Sequence, residues 1–268
     1  EGAKLSGANL QYANLENAIL AGVDLSGANL SYANLSCVIL IDANLEGANL
    51  SGARMGKASL SCEELPSSLW PDGQVSAYET FVANLEGADL TYANLKGANL
   101  EGATLVFARL IDANLTGANL TDATLIGANL TYARMGEANL AGTNLTDAIL
   151  AGAILAGADL SSIVSLLSAD LSRADLRSAN LSGRFMGGAD LSYANLSDAN
   201  LSDANLLNAI LTGANLTRAD LSRAELINAK LINASLISAN LTDAILDGAD
   251  LSGAALLFAI LPDGSFID

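Results

Sequence analysis

Apolar residues recur along this chain with a period of five. Apart from an interruption at 61–82, a Leu or a close substitute falls on every fifth residue from Leu5 to Leu160, with a small residue, mostly Ala, two positions before it. The series resumes one residue out of phase at Leu166 and continues to Leu261. This period matches neither a helix nor a long strand. Residues two apart in a short extended segment share a side, so each Ala and Leu point inward together, while intervening Gly, Asn, Asp and Ser turn the chain.

The repeated units carry a resemblance to a known family. Ala-Asn-Leu-Ser-Gly, Ala-Asp-Leu-Ser-Tyr and Ala-Asn-Leu-Thr-Asp match the A(D/N)LXX consensus of the pentapeptide repeat family over nearly the whole chain, and residues 259–265 resemble the AxLPDGS ending of its cyanobacterial-type members. The resemblance implies an all-β fold, the right-handed quadrilateral parallel β-helix with four pentapeptides per coil. At that rate the chain forms about 12 coils, and a strand spacing of about 4.8 Å gives a rod of roughly 60 Å.

The repeats predict a single β-helix over residues 1–261, with a short tail at 262–268 and one large interruption at 61–82. From Leu60 to Leu85 is 25 residues, which equals one unit plus one whole coil, so the interruption is either an irregular coil or a protruding loop. Two proline-containing turns favour the loop. Trp70, Asp72 and Tyr78 make it a candidate partner-binding segment; the alternative is a surface loop with Trp70 folded back.

A one-residue bulge is predicted within residues 161–165, around Val164, because the Leu series slips by one there. Arg184 comes 20 residues after Val164 and occupies an inward small-residue position, where an unpaired charge is costly. We therefore expect the two irregularities to be stacked neighbours, with Arg184 reaching solvent or free carbonyl groups. A structural irregularity is favoured here over a ligand site.

Five of the six tyrosines share one register position on one face once the slip is corrected: Tyr12, Tyr32, Tyr92, Tyr132 and Tyr193. An aromatic stripe along a rod is a candidate partner-binding surface. It is equally explained by ring packing at a corner or by duplication of whole coils. Repetition of Ala-Arg-Met-Gly at 53–56 and 133–136 supports duplication. Four aspartates also share one position: Asp42, Asp122, Asp203 and Asp243.

Composition limits the classes of function. The chain carries 29 acidic and 12 basic residues, a net charge of −17. Such a surface repels nucleic acid and suits solubility, a basic partner or imitation of DNA. Cys37 and Cys62 are predicted to be free thiols, consistent with a reducing compartment. We expect a cytoplasmic protein, with a lumenal or periplasmic location left open because the chain starts at Glu1. The longest apolar stretch, 148–158, is too short to span a membrane.

No chemistry of an enzyme is visible in the sequence. There is no His, phosphate loop, dinucleotide fingerprint or nucleophile elbow, so we expect no catalysis, cofactor or metal. The leading hypothesis is an acidic rigid rod that binds an unknown protein partner, as a monomer or in weak end-to-end or face-to-face association. The resemblance to cyanobacterial-type members implies a role in regulation. The alternatives are a DNA-mimicking modulator of DNA gyrase, which some family members are, and a structural protein without specific binding.

Overall fold

The chain forms a four-sided coil whose successive turns stack through parallel backbone pairing. The structure, a computed structural model, describes residues 3–40, 43–51, 53–55, 58 and 83–267. Within these residues there is no helix and no extended strand, because each side of the coil contributes a single paired residue. Pairing partners are 20 residues apart over most of the chain, as in Asn9 with Asn29. Four pentapeptides therefore make one coil.

The paired residues form four ladders, which we number in chain order as faces 1 to 4. Face 1 begins with Lys4, Asp24 and Asn44, face 2 with Asn9, Asn29 and Asn49, face 3 with Asn14, Asn34 and Arg54, and face 4 with Ile19 and Ile39. The turn that follows each face is the corner of the same number. Within the described residues no helix is long and apolar enough to cross a bilayer.

Backbone hydrogen bonds join successive coils on all four faces along the described residues, except on face 4 between Asn139 and Asp159. Leu10 N donates to Asn29 O at 2.7 Å, and Asn29 N donates to Ala8 O at 2.8 Å. The Ala and Leu that flank each paired residue point inward and are fully buried along most of the rod, as Ala28 and Leu30 are. A core this narrow needs only one small and one large residue per face, which explains the near-uniform composition.

Nearly every described corner is a turn with its second residue in the left-handed backbone region, Ser162 and Asp263 being exceptions. Tyr12 has φ of 60°, and Ala13 N donates to Leu10 O at 3.0 Å across the turn. A positive φ at the third of four turn residues defines a type II turn. Glycine or a residue with φ between 55° and 60° occupies this position at corner after corner. No described residue there is Val, Ile or Thr, although these are common one position earlier, because β-branched side chains strain this conformation.

The paired residue is mostly Asn or Asp because its side chain completes the following corner. Asn29 Oδ1 accepts hydrogen bonds from Ser31 N at 3.2 Å and from Ser31 Oγ at 2.8 Å. Asn129 binds Thr131 in the same way. The frequent Asn-Leu-Ser and Asn-Leu-Thr triplets thus have a structural cause, the Asx turn.

The coil before the interruption and the coil after it are direct neighbours. Asn44 pairs with Asn84 and Asn49 pairs with Asp89, each 40 residues apart, and Asn99 N donates to Ala58 O at 2.9 Å. These contacts leave no room for a further coil between the two. Residues 61–82, to which the question of coil or loop applies, lie outside the described residues.

The tail after the last repeat folds back on the final coil. Ile260 pairs with Phe266 in antiparallel fashion, and Phe258 N donates to Ile267 O at 2.8 Å. The Phe258 and Phe266 rings lie 6.3 Å apart. The Pro-Asp-Gly-Ser segment makes this reversal, and Gly264 has φ of 78° at the turn. The tail covers face 4, whereas Leu246 and Leu251 on faces 1 and 2 remain partly exposed.

The backbone constraint at the corners predicts a position-dependent effect of isoleucine. Ser238 has φ of 58°, so Ser238→Ile should lower the free energy of unfolding by about 1–3 kcal/mol. Ser197→Ile places the same side chain at the first turn position of the same corner, where Ile237 is natural, and should change it by less than about 0.5 kcal/mol. Urea midpoints measure both. Equal losses would show that the constraint is absent.

Aspartates that complete a corner predict sensitivity to acid. Hydrogen bonds from the Ser252 hydroxyl and then from its backbone N–H lower the pKa of Asp250 below its usual 3.8, and those from Ser161 lower the pKa of Asp159. A carboxyl group whose pKa is lower in the folded state than in the unfolded state stabilises the folded state at pH above about 4. This stabilisation disappears as the pH falls through the pKa of the folded state. The urea midpoint should therefore fall less steeply below pH 4 in Asp159→Asn/Asp250→Asn, because Asn accepts the same bonds without titrating. Identical pH profiles would contradict this.

Candidate partner-binding surface

The five repeat tyrosines lie on one corner of the rod. Each follows a face 2 residue by three positions, so all occupy the second turn position of corner 2, which we call the tyrosine corner. The exposed fraction of their side chains lies between 55% and 70%. The sequence register thus brings Tyr12, Tyr32, Tyr92, Tyr132 and Tyr193 into one line. Their role in binding stays a prediction.

Side chains at this turn position lean over the same position of the next coil. The rings of Tyr132 and Tyr193 overlie Gly152 and Gly213, and a Cβ added at Gly213 would lie 2.7 Å from Cδ1 and Cε1 of Tyr193. Tyr12 is followed by a second ring instead, and the Tyr12 and Tyr32 rings stack at 5.5 Å between centroids, with 12° between their planes. The glycines that interrupt the stripe therefore provide space for the preceding ring.

Charge divides unequally between two halves of the rod. We call faces 4 and 1 with their corners the acidic half, and faces 2 and 3 with their corners the tyrosine half. Among the described residues, the acidic half carries 13 acidic and 3 basic side chains, whereas the tyrosine half carries 9 acidic and 8 basic side chains. The basic residues of the tyrosine half are Arg54, Lys96, Arg109, Arg134, Arg173, Arg177, Arg218 and Lys230. Those of the acidic half are Lys4, Arg184 and Arg223. The tyrosines thus lie on a nearly neutral surface.

Ion pairs between successive coils neutralise part of the acidic surface. Arg223 Nε and Nη2 donate to the two carboxylate oxygens of Asp203, both at 2.7 Å, and Arg218 binds Asp198 in the same bidentate way. These arginines lower the pKa values of Asp203 and Asp198. The predicted aspartate line therefore contains a paired Asp203 beside the exposed Asp122 and Asp243. Asp42 lies outside the described residues.

The extra residue near Val164 breaks the pairing on face 1. Asn144 pairs with Ser165, 21 residues on, while Val164 N donates to Thr143 O at 2.8 Å. Among the described face 1 pairs the rung from Ser165 to Phe185 is missing. In regular coils the carbonyl at the position of Ile163 accepts a hydrogen bond from the backbone N–H of the paired residue in the next coil. Here Arg184 Nη1 donates to the Ile163 carbonyl instead, at 2.7 Å. Arg184 Nε donates to Ser182 O at 3.2 Å, so Arg184 replaces a lost backbone bond.

Comparison with known proteins bears on the fold and family. The profile of the Pentapeptide repeats family matches this chain in eight copies. The matched residues are 1–36, 24–61, 83–122, 108–147, 123–162, 169–206 and 219–256. The chain belongs to the pentapeptide repeat family. HetL, a pentapeptide repeat protein involved in heterocyst differentiation regulation in the cyanobacterium Nostoc sp. Strain PCC 7120, is 31% identical over 95% of this chain and 92% of its own, with a TM-score of 0.38. No curated protein matches.

Two other solved pentapeptide repeat structures are similar. The protein of the Arabidopsis thaliana thylakoid lumen is 29% identical over 48% of this chain and 66% of its own, with a TM-score of 0.17. QnrB1, a plasmid-mediated fluoroquinolone resistance protein, is 16% identical over 95% of this chain and 89% of its own, with a TM-score of 0.31. The family's β-helical solenoid is the fold of this chain.

Only some of the other predicted site residues belong to the part of the chain that the structure describes. Trp70, Asp72 and Tyr78, like Cys62, lie outside the described residues. Cys37 is a free, exposed thiol at corner 3. No group of His, Cys, Asp or Glu among the described residues could hold a metal ion. Sequence reasoning missed the ring–glycine pairs and the ion pairs, although a search for complementary residues 20 apart would have found them.

The position of Arg184 predicts an energetic coupling with the bulge. Arg184→Ala restores the usual inward residue but leaves the Ile163 carbonyl without its donor, and should destabilise by about 1–3 kcal/mol. Deleting Val164 restores the 20-residue spacing, so Arg184→Ala in that background should cost less than about 0.5 kcal/mol. Urea unfolding of the four variants measures the coupling. Additive effects would mean that Arg184 does not act on the bulge.

Proposed function

We propose that this pentapeptide repeat protein is a non-catalytic scaffold that binds a protein partner through the tyrosine corner. Interfaces are enriched in Tyr, and their centres are depleted in charge. The tyrosine corner meets both conditions, because exposed rings line up there and the described turn positions of corner 2 carry only two charged side chains, Asp112 and Arg173. That single observation carries the proposal. The rod consists of about 12 coils and is roughly 60 Å long, so the corner offers an extended contact line.

Rigidity supports binding along this line. Backbone hydrogen bonds on all four faces fix each tyrosine Cα relative to those of neighbouring coils. Tyrosine also loses little conformational entropy on binding, since it has two rotatable side-chain bonds. A partner therefore meets a preorganised row of rings, which lowers the entropic cost of association.

Tyrosine substitution tests the proposal. We expect Tyr92→Ser/Tyr132→Ser/Tyr193→Ser to lose a partner captured from native lysate and identified by mass spectrometry, with affinity falling at least about tenfold because aromatic anchors dominate interfaces. Serine keeps the fold, since Ser168, Ser178 and Ser238 occupy this turn position elsewhere.

The matched control removes three exposed apolar side chains from corner 1, in Phe107→Ser/Leu167→Ser/Leu207→Ser. The control should retain the partner. Loss of the partner by the control variant alone would place the interface on the acidic half. Retention of the partner by both variants would refute a role for the tyrosines. Deleting residues 66–80 tests Trp70, Asp72 and Tyr78 separately; retained capture would remove that segment from the proposal.

A second candidate is modulation of DNA gyrase through imitation of DNA. The concentration of 13 described acidic residues on faces 4 and 1 with their corners favours it. The pairing of Asp203 with Arg223 weakens it, because a bidentate pair presents little net charge. A supercoiling assay distinguishes the two candidates: no effect on gyrase at micromolar protein would exclude this one.

A further inference from the structure

We propose that Tyr92, Asp112 and Tyr132 form a slot that binds an arginine side chain of the protein partner. The inference deepens the proposed function and rests on it for the partner. The three residues occupy the second turn position of corner 2 in successive coils, since their faces pair in the order Asp89, Arg109 and Asn129. A carboxylate therefore stands between two tyrosine positions on one line.

The spacing suits a planar cation. Successive coils are about 4.8 Å apart, so the two ring positions are separated by roughly 10 Å, with Asp112 midway. Two rings one coil apart at this corner can lie nearly parallel, as the stacked Tyr12 and Tyr32 do with 12° between their planes. In the proposed slot the faces of Tyr92 and Tyr132 turn toward the gap, one on each side of the inserted side chain. A guanidinium inserted there lies about 5 Å from each ring, within the roughly 6 Å reach of a cation–π interaction.

The carboxylate of Asp112 is available to bind a cation. Its side chain is exposed, and the described basic residues form no ion pair with it; the nearby Arg109 donates to Asp89 at 3.1 Å instead. The protein itself places a guanidinium in a comparable position, since Arg173 Cζ lies 6.0 Å from the Tyr193 ring centroid on this corner. That contact shows that the corner geometry accepts a cation one coil away from a tyrosine.

Arginine fits this slot better than lysine. Its planar guanidinium stacks on aromatic faces and donates two parallel hydrogen bonds to a carboxylate, whereas an ammonium is compact and more strongly hydrated. The partner is accordingly expected to present an exposed arginine on the segment that contacts the tyrosine corner.

A small probe tests the slot without knowledge of the partner. The peptide acetyl-Gly-Arg-Gly-amide is titrated into the full chain at physiological salt, and its arginine methylene protons are followed by NMR. Tyrosine rings on both sides should shift these signals upfield. The same peptide with citrulline, a neutral isostere of arginine, should show no saturable shift, and the lysine peptide should bind more weakly.

Charge-matched variants separate the slot from general attraction to an acidic rod. Asp112→Asn should lower the affinity for the arginine peptide about tenfold. Asp122→Asn, the same change at corner 4, should lower this affinity less than about twofold because screened charges act only locally. Asn is compatible with both sites, since Asn208 and Asn228 adopt the same φ. Tyr92→Ser/Tyr132→Ser should abolish the upfield shift. Equal effects of Asp112→Asn and Asp122→Asn, or equal binding of the citrulline peptide, would overturn the proposal.

The outcomes also separate this inference from the proposed function. A partner that is captured through the tyrosines by the wild type and equally well by Asp112→Asn would refute the slot and leave the scaffold intact. Arginine peptide binding that depends on Asp112, together with no tyrosine-dependent capture, would refute the scaffold's use of this corner and leave the slot.

Discussion

Nearly every described corner of this coil depends on one residue held in the left-handed backbone region. A chain that must change direction after each inward Ala and Leu has only two residues with which to turn, and the type II turn does this with a positive φ at the second. Gly, Asn, Asp and Ser tolerate that conformation, whereas Val, Ile and Thr do not. Because the turn is the same at corner after corner, residues 20 apart come into register and the core stays uniform.

This constraint explains how much the sequence alone could predict. The period of five identified the inward Ala and Leu, and the alignment of Tyr12 with Tyr193 followed from counting in steps of 20 with one correction. Counting could not show that Asn44 pairs directly with Asn84, because the 40-residue spacing is compatible with either one intervening coil or none. It also could not show how Arg184 is accommodated, since that depends on which carbonyl loses its backbone donor.

The candidate surface follows from the same geometry. Residues that contact each other along a corner are remote in sequence, so Tyr92, Asp112 and Tyr132 look unrelated until the coil is closed. The unequal distribution of charge is equally hidden, because each pentapeptide adds residues to one face and the next to another. Only the four-sided arrangement separates a nearly neutral half with tyrosines from an acidic half. A surface on one corner of this fold is therefore formed by residues at intervals of one coil rather than by a contiguous motif.

The single extra residue at Val164 bears on how such a gene can change. A one-codon insertion in most folds displaces everything after it, yet here the residues beyond Ser165 regain their ladders, and Tyr193 keeps the register position of Tyr132 across the slip. Among the described pairs two rungs are missing beside the slip, from Asn139 to Asp159 on face 4 and from Ser165 to Phe185 on face 1, and the Arg184 side chain compensates on face 1. Such a rod can lengthen by whole coils or absorb a small insertion while its outer decoration remains aligned, which leaves the surface free to diversify independently of the scaffold.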